Sequence, residues 1–217
     1  MTTIGIADLA GVVYSAGTVF DGLATGRRDT ENFLRSGSLD GVTSRTDLAL
    51  LEDLRDVAQF VLDHGRRPIN AAFVCAVNAQ ITRSGALHPG QLRTPDQQIG
   101  VQTRYGRHTP EAVTVAGLQQ LLDDALGGAD ACEAALELFV DLAKAQPFED
   151  GNKRTALFGA TNLLISAETG TLLTIPVDED DPGLSDAFHD LLAQAYVRDE
   201  RGGVKDLLRT HGFVSVV

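Results

Sequence analysis

Tryptophan is absent from these 217 residues, methionine occurs once and cysteine only twice. Cys75 and Cys132 stand in separate apolar stretches, outside any CxxC or Cys/His spacing that would hold zinc, and both read as buried thiols. Long hydrophobic runs are missing too: none approaches the roughly 20 residues needed to span a bilayer. The first ten residues carry no basic segment ahead of their apolar positions, so no secretory leader is expected. A reducing cytoplasm is the expected compartment, with no membrane partner. Positive charge is also in short supply. Against 30 Asp+Glu there are 18 Lys+Arg, a net charge of -12 that in sum repels phosphate backbones and excludes nucleic acid as an expected partner.

What is present is an ordinary globular composition, 43% apolar with a mean hydropathy of -0.01. A chain of this length forms one domain, here residues 1–217, that buries about 70% of its extended surface. Apolar residues recur at helical spacing through most of it. Leu50, Leu51, Leu54, Val57, Ala58, Val61 and Leu62 form one stripe, closed by His64-Gly65. Asn70 reads as the cap of a second helix through Val77. Thr109-Pro110-Glu111 reads as N-cap, first-turn proline and first-turn acid of a third, with Leu118, Leu121, Leu122 and Ala125 inward. A fourth helix ends near Ala145, and a fifth begins just after Asn152 with Ala156, Leu157, Ala160, Leu163, Leu164 and Ala167 on a broad face. Further helices follow from Ser185 and over Val204 to Arg209. Ile99 to Arg107 is the one hairpin-like stretch, and Asp178 to Asp181 reads as a solvated acidic loop. The fold class is therefore all-α, mainly helical, with a small β-hairpin.

Between the fourth and fifth helices lies Gln146-Pro147-Phe148-Glu149-Asp150-Gly151-Asn152-Lys153-Arg154-Thr155-Ala156. Backbone N–H groups around a glycine that leads into a helix N-terminus offer unpaired donors and the positive end of the helix dipole to an anion. Lys153 and Arg154 place full positive charges in that first turn, where the dipole disfavours them, and a bound phosphate would relieve the conflict. Asp150 is placed to hold Mg2+ against the same phosphates, and Phe148 to anchor the loop. The bland alternative is that Asp150 or Asn152 merely caps the helix.

This segment resembles the Fic/Doc, or Fido, family, whose general motif is HxFx(D/E)GNGRxxR and whose Doc branch reads HPFxDGNKRTA. Phe148, Asp150, Gly151, Asn152 and Arg154 match the general motif, and Pro147, Lys153, Thr155 and Ala156 match the Doc form. Pro89-Gly90-Gln91-Leu92-Arg93 is similar to the turn that precedes the family's substrate-docking flap, so Ile99 to Arg107, with Val101, Thr103 and Tyr105, would be that flap. Gly17 to Gly22 looks like a degraded inhibitory motif in an N-terminal arm of residues 1–45, ahead of a catalytic-type helical core over 46–217. The resemblance implies binding of ATP or another nucleoside triphosphate with Mg2+, and transfer of AMP, another nucleotidyl group or phosphate to a protein hydroxyl or other acceptor. By that carry-over Asp150 would hold the metal. Gly151, Asn152, Lys153 and Arg154 would hold phosphates, and the flap would align a protein target by β-augmentation.

Three positions depart from the pattern. Gln146 stands where the family has its general base, and an amide accepts no proton near neutral pH; a positioned base is worth about 10²–10⁴-fold in rate. Weakened or altered transfer and a catalytically silent nucleotide- or partner-binding domain are both compatible with that exchange. Leu157 replaces the general motif's second arginine. Asp21 replaces the inhibitory glutamate and is expected to lack a guanidinium partner, so its replacement should leave nucleotide affinity unchanged. The histidines, His64, His88, His108, His189 and His211, form no metal-binding spacing. His108, at the end of the presumed flap, is either a substitute base or a plain exposed loop residue.

Overall fold

A computed structural model describes residues 4–85, 87–128, 130–178 and 181–216. Side chains of Ser, Thr, Asn and Asp, which accept from an orphan amide of the first turn, start four of the helices. Ser44 caps α3 (Arg45–His64) through Asp47 N–H at 2.9 Å, and Asn70 caps α4 (Ala71–Asn78) through Phe73 N–H at 2.9 Å. Thr114 caps α5 (Val115–Leu126) and Asp130 caps α6 (Ala131–Ala145). Ahead of these, a 3-10 turn at Ile6–Leu9 leads into α1 (Ala10–Asp21), which Gly22 ends at φ +70°, and α2 (Arg27–Ser36) follows. After them come α7 (Asn152–Ser166), α8 (Gly183–Arg198) and α9 (Gly202–His211).

Helix α7 is the hub. It packs against α6 most extensively, and against α3, α4 and α1, with Ala156, Leu157, Phe158, Ala160 and Leu164 fully buried. Val12, Val13 and Ala16 of α1 belong to the same core, which places the last turn of α1 beside the start of α7. The hairpin expected around Ile99 forms as β1 (Val101–Thr103) and β2 (Gly106–His108), antiparallel, with Val101 opposite His108. A second two-stranded sheet joins β3 (Thr171–Leu173) to β4 (Phe213–Ser215), with Leu172 opposite Val214.

Three expectations need correction. The third sequence-predicted helix starts at Val115, not at Thr109, because the carbonyls of Pro110 and Glu111 are drawn out of any helix by Arg93, whose Nη2 donates to them at 2.6 and 2.8 Å. The stretch at Ile99 to Arg107 is not alone in pairing, because β3 and β4 form a second antiparallel pair. Cys75 and Cys132 are half-buried rather than buried; burial still pushes the Cys75 thiol above its ordinary range. Of the acidic run, Glu179 and Asp180 lie outside the described residues. No helix among the described residues is long and apolar enough to cross a membrane.

Candidate functional site

The loop joining α6 to α7 is fixed from several sides. Helix α6 ends on Gln146 in the left-handed region, φ +44°, ψ +61°, an unfavourable conformation for a residue with a side chain. Two hydrogen bonds hold it there: Gln146 N–H donates to Leu142 O at 3.2 Å, and Gln146 O accepts from Arg93 Nε at 2.7 Å. Arg93 N–H donates to Pro147 O at 2.9 Å, and Leu92 bridges to Phe148, whose ring is fully buried. Asn152 reaches back over the loop, accepting from Phe148 N–H and donating to Phe148 O, both at 2.9 Å. Asn78, at the end of α4, donates to Asp150 O at 3.0 Å and to Thr155 Oγ1 at 3.1 Å, and accepts from Gly90 N–H at 2.8 Å. At Gly151 φ is +73°, and a Cβ would lie 2.6 Å from Ile81 Cδ1, so a side chain there would be strained and would push Ile81 aside.

These bonds occupy the side chains that the bland reading assigned to capping. Asn152 braces Phe148, and Asp150 Oδ1 accepts from the adjoining Gly151 N–H at 2.6 Å. Helix α7 has no side-chain cap, and the first of its amides to find an acceptor is Thr155 N–H, on Gly151 O at 2.8 Å. Among the described residues none supplies an acceptor to the amides of Asn152, Lys153 and Arg154. These three residues line a cavity of about 230 Å³ together with Asp21, Gln146 and Asp150.

The two cations of that first turn differ. Arg154 is 2% exposed and braced: Nη1 donates to Ser84 Oγ at 2.8 Å, Nε lies 3.4 Å from Asp21 Oδ2, and Nη2 lies 3.7 Å from Asp150 Oδ2. Ser84 is itself fixed by Asp53 of α3, a fully buried carboxylate that accepts from the amides of Thr82, Arg83 and Ser84 and from Ser84 Oγ at 2.7 to 3.1 Å. Burial alone would raise the Asp53 carboxyl, but the Ser84 hydroxyl and the amide donors outweigh it and hold the group below the usual carboxylate range. Lys153 lies with Nζ 4.9 Å from the Phe20 ring centroid, and burial depresses its pKa, with Arg154 adding to the depression and Asp21 opposing it. Burial raises the Asp21 carboxyl against the pull of Arg154 and Lys153. The expectation that Asp21 lacks a guanidinium partner is thus overturned. Leu157 removes one arginine, but α1 delivers Asp21 to Arg154 instead.

A second cavity of about 430 Å³ lies between β1 and α8 and shares Val101 and Lys153 with the first. Thr103 and His189 also line it. Burial lowers the His189 pKa, as does the Lys153 charge. Tyr105 sits in the hairpin turn with its hydroxyl donating to Asp190 of α8 at 2.8 Å, while Arg104 pairs with the same carboxylate and Arg198 stacks on the ring 4.2 Å from its centroid. The hairpin tip is therefore fastened to α8. His108 neither lines these cavities nor lies free: Nε2 is 2.7 Å from Lys144 O, and the ring stacks on Tyr196 with centroids 5.1 Å apart.

Asp53, Ser84, Asn78, Arg93 and His189 were missed as supports or lining of this site. Only Arg93 carried a local signal, through its place in the Pro89-Gly90 turn. Among the described residues no three His, Cys, Asp or Glu side chains form a metal-binding group. Asp150, half-exposed at the cavity, offers one carboxylate, which suits a Mg2+ ion that takes its remaining ligands from water and phosphate.

The Fic/DOC family profile matches residues 68–164. No curated protein matches the sequence. Among solved structures, a Fic-domain-containing signalling protein from Bacteroides thetaiotaomicron is similar at a TM-score of 0.69 and 18% identity, over 93% of this chain and 80% of that one. A fragment of Fic-1 from C. elegans matches at a TM-score of 0.67 and 17% identity over 92% of this chain, which spans 58% of that fragment's length. Residues 68–164 thus match the Fic/DOC family model, in a chain with the fold of Fic-domain proteins.

Proposed function

We propose that the chain binds the polyphosphate of a nucleoside triphosphate such as ATP at the start of α7, and transfers a nucleotidyl (AMP) or phosphoryl group from it to an acceptor. One observation carries this reading: three amides without acceptors, together with Lys153 and Arg154, line one cavity. Oriented amides at a helix N-terminus and two fixed cations are the parts that phosphoryl chemistry uses to hold phosphates and neutralise developing charge. Asp150 would hold Mg2+, which supplies charge neutralisation at the phosphates when bound. The larger adjoining cavity, half apolar and roofed by β1, has the size to take the nucleoside. A protein target would dock along the hairpin, with Val101 and Thr103 beside the cavities.

Gln146 favours a second reading, in which the domain binds nucleotide or a partner and transfers nothing. Hydroxyl acceptors need a proton removed, and the loss of a base costs about 3–5 kcal/mol of barrier. Calorimetry with ATP and Mg2+ tests the shared part: binding is expected for the natural sequence and should weaken in Lys153→Ala. Radiolabelled-nucleotide transfer to protein then compares Gln146 with Gln146→His. Label in both supports the transferase; label in the histidine variant alone supports the silent binder with respect to protein hydroxyls.

A further inference from the structure

Gln146 is the second, independent sign that the cavity receives a ligand. Gln146 is 5% exposed, lines the same cavity as the first-turn residues of α7, and its carboxamide makes no hydrogen bond among the described residues. Its amide oxygen and nitrogen are not closed off inside the protein but open to the cavity, where a carboxamide without a protein partner is free to bond a water or a ligand. The backbone fixes the direction in which the side chain leaves the chain. Leu142 O holds the Gln146 amide and Arg93 Nε holds its carbonyl, so the left-handed φ of +44° that aims the residue is fixed from both sides. Arg93 is in turn anchored on Pro110 and Glu111, far from the cavity.

We propose that water is an acceptor in this site, oriented by the Gln146 carboxamide, so that the bound nucleoside triphosphate is hydrolysed at a phosphoanhydride. This rests on the nucleotide-binding reading above and names the acceptor for it. A carboxamide has one acceptor oxygen and two donor hydrogens, so Oε1 takes a hydrogen bond from the water while Nε2 donates to the attacked phosphoryl group. Glutamine plays that part in nucleotide hydrolases, where it places the attacking water without serving as a base. The step balances without another reactant. The water oxygen forms a bond to phosphorus, the bridging P–O bond breaks, its electron pair leaves with the departing phosphate group, and one water proton passes to a phosphate oxygen and then to solvent.

The charge at the site is compatible with water as the acceptor. A loose transition state develops its charge on the phosphoryl and leaving oxygens, where Lys153, Arg154 and the amides of Asn152 to Arg154 are already placed, and asks little deprotonation of the nucleophile beforehand. Water also requires no docked strand. Tyr105, Arg104 and Arg198 fasten the hairpin tip to α8, so the cavity is roofed without any bound peptide.

The test uses the full chain with ATP and Mg2+ in water enriched in oxygen-18, followed by phosphorus NMR of every product, nucleotide as well as phosphate or diphosphate, and by calorimetry of nucleotide binding. The natural sequence is expected to release product carrying one solvent oxygen per turnover. Gln146→Ala should slow release at least tenfold with the dissociation constant unchanged within about twofold. Between pH 6 and 8 the natural rate should be flat, whereas Gln146→His should acquire a limb set by its imidazole. Binding without turnover, or turnover indifferent to Gln146→Ala, overturns the proposal and leaves the nucleotide-binding reading standing. Absence of binding overturns both.

Discussion

Helices α6 and α7 are packed neighbours joined by one loop, yet their N-termini are built on opposite plans. At α6, Asp130 accepts from Glu133 N–H, and Glu133 adds negative charge where the dipole favours it. At α7 the cap is a glycine with nothing to offer, the first turn carries Lys153 and Arg154, and no acid follows. The first arrangement satisfies its own donors and stabilises the helix. The second keeps three donors open, adds two cations against the dipole, and relies on Asp53, Ser84 and Asn78 to hold the geometry. On the reading proposed above, what separates the two is use: one end completes a fold, the other would receive an anion.

The largest effect should come from removing the support. Asp53→Ala leaves three amides, the Ser84 hydroxyl and the Arg83 guanidinium without their carboxylate, and we expect a loss of about 3 kcal/mol or more in urea unfolding. A loss below about 1 kcal/mol would mean that α7 is held by packing alone. Next, Lys153→Ala should weaken binding of ATP with Mg2+ at least tenfold, about 1.4 kcal/mol, in a calorimetric titration. The matching change at the other helix, Asp130→Ala, should cost about 1 kcal/mol of stability and leave nucleotide affinity alone. If the two variants behaved alike, the contrast between the helix starts would be without functional meaning.

Asp21→Asn gives a smaller effect. Because Asp21 lies 3.4 Å from Arg154 Nε and competes with any phosphate there, its neutralisation should raise nucleotide affinity about threefold, the scale of a partly exposed ion pair. Acid titration tests the support once more. The Asp53 carboxyl is held below its unfolded value of 3.8, so its contribution is present above that pH and is lost as pH falls through the lower folded value. Asp21 has the opposite sign: its raised pKa favours the protonated form in the fold, so its share of stability is lost as pH rises through the folded value. Asp53→Asn should accordingly flatten the loss of stability below pH 4, measured by chemical denaturation at stepped pH.

Much of this was legible locally. The Asn70 cap, the His64-Gly65 stop and 3.6-residue stripes marked α4, α3 and α7, and residues 146–154 are contiguous, so the anion loop could be read as one segment. Thr109-Pro110 misled for the converse reason: it satisfies the local rules for a helix start, but a buried arginine from sixteen residues earlier claims the carbonyls that follow. The link from Asp53 through Ser84 to Arg154 spans a hundred positions and has no periodic or compositional trace. Pairing of β3 with β4 joins two three-residue strands about forty positions apart, too short to show alternation. Asp21 was located but assigned the wrong partner state, because its contact with Arg154 depends on how α1 packs on α7 and not on the residues around it.

The most direct test of the anion-cradle account is an amide-resolved NMR titration of the full chain with ATP and Mg2+. The account requires the N–H signals of Asn152, Lys153 and Arg154 to move together and to saturate with one affinity, while those of the α6 first turn, Ala131 to Glu133, stay still. Saturable binding that leaves the three α7 amides unmoved, or no binding at all, would contradict it.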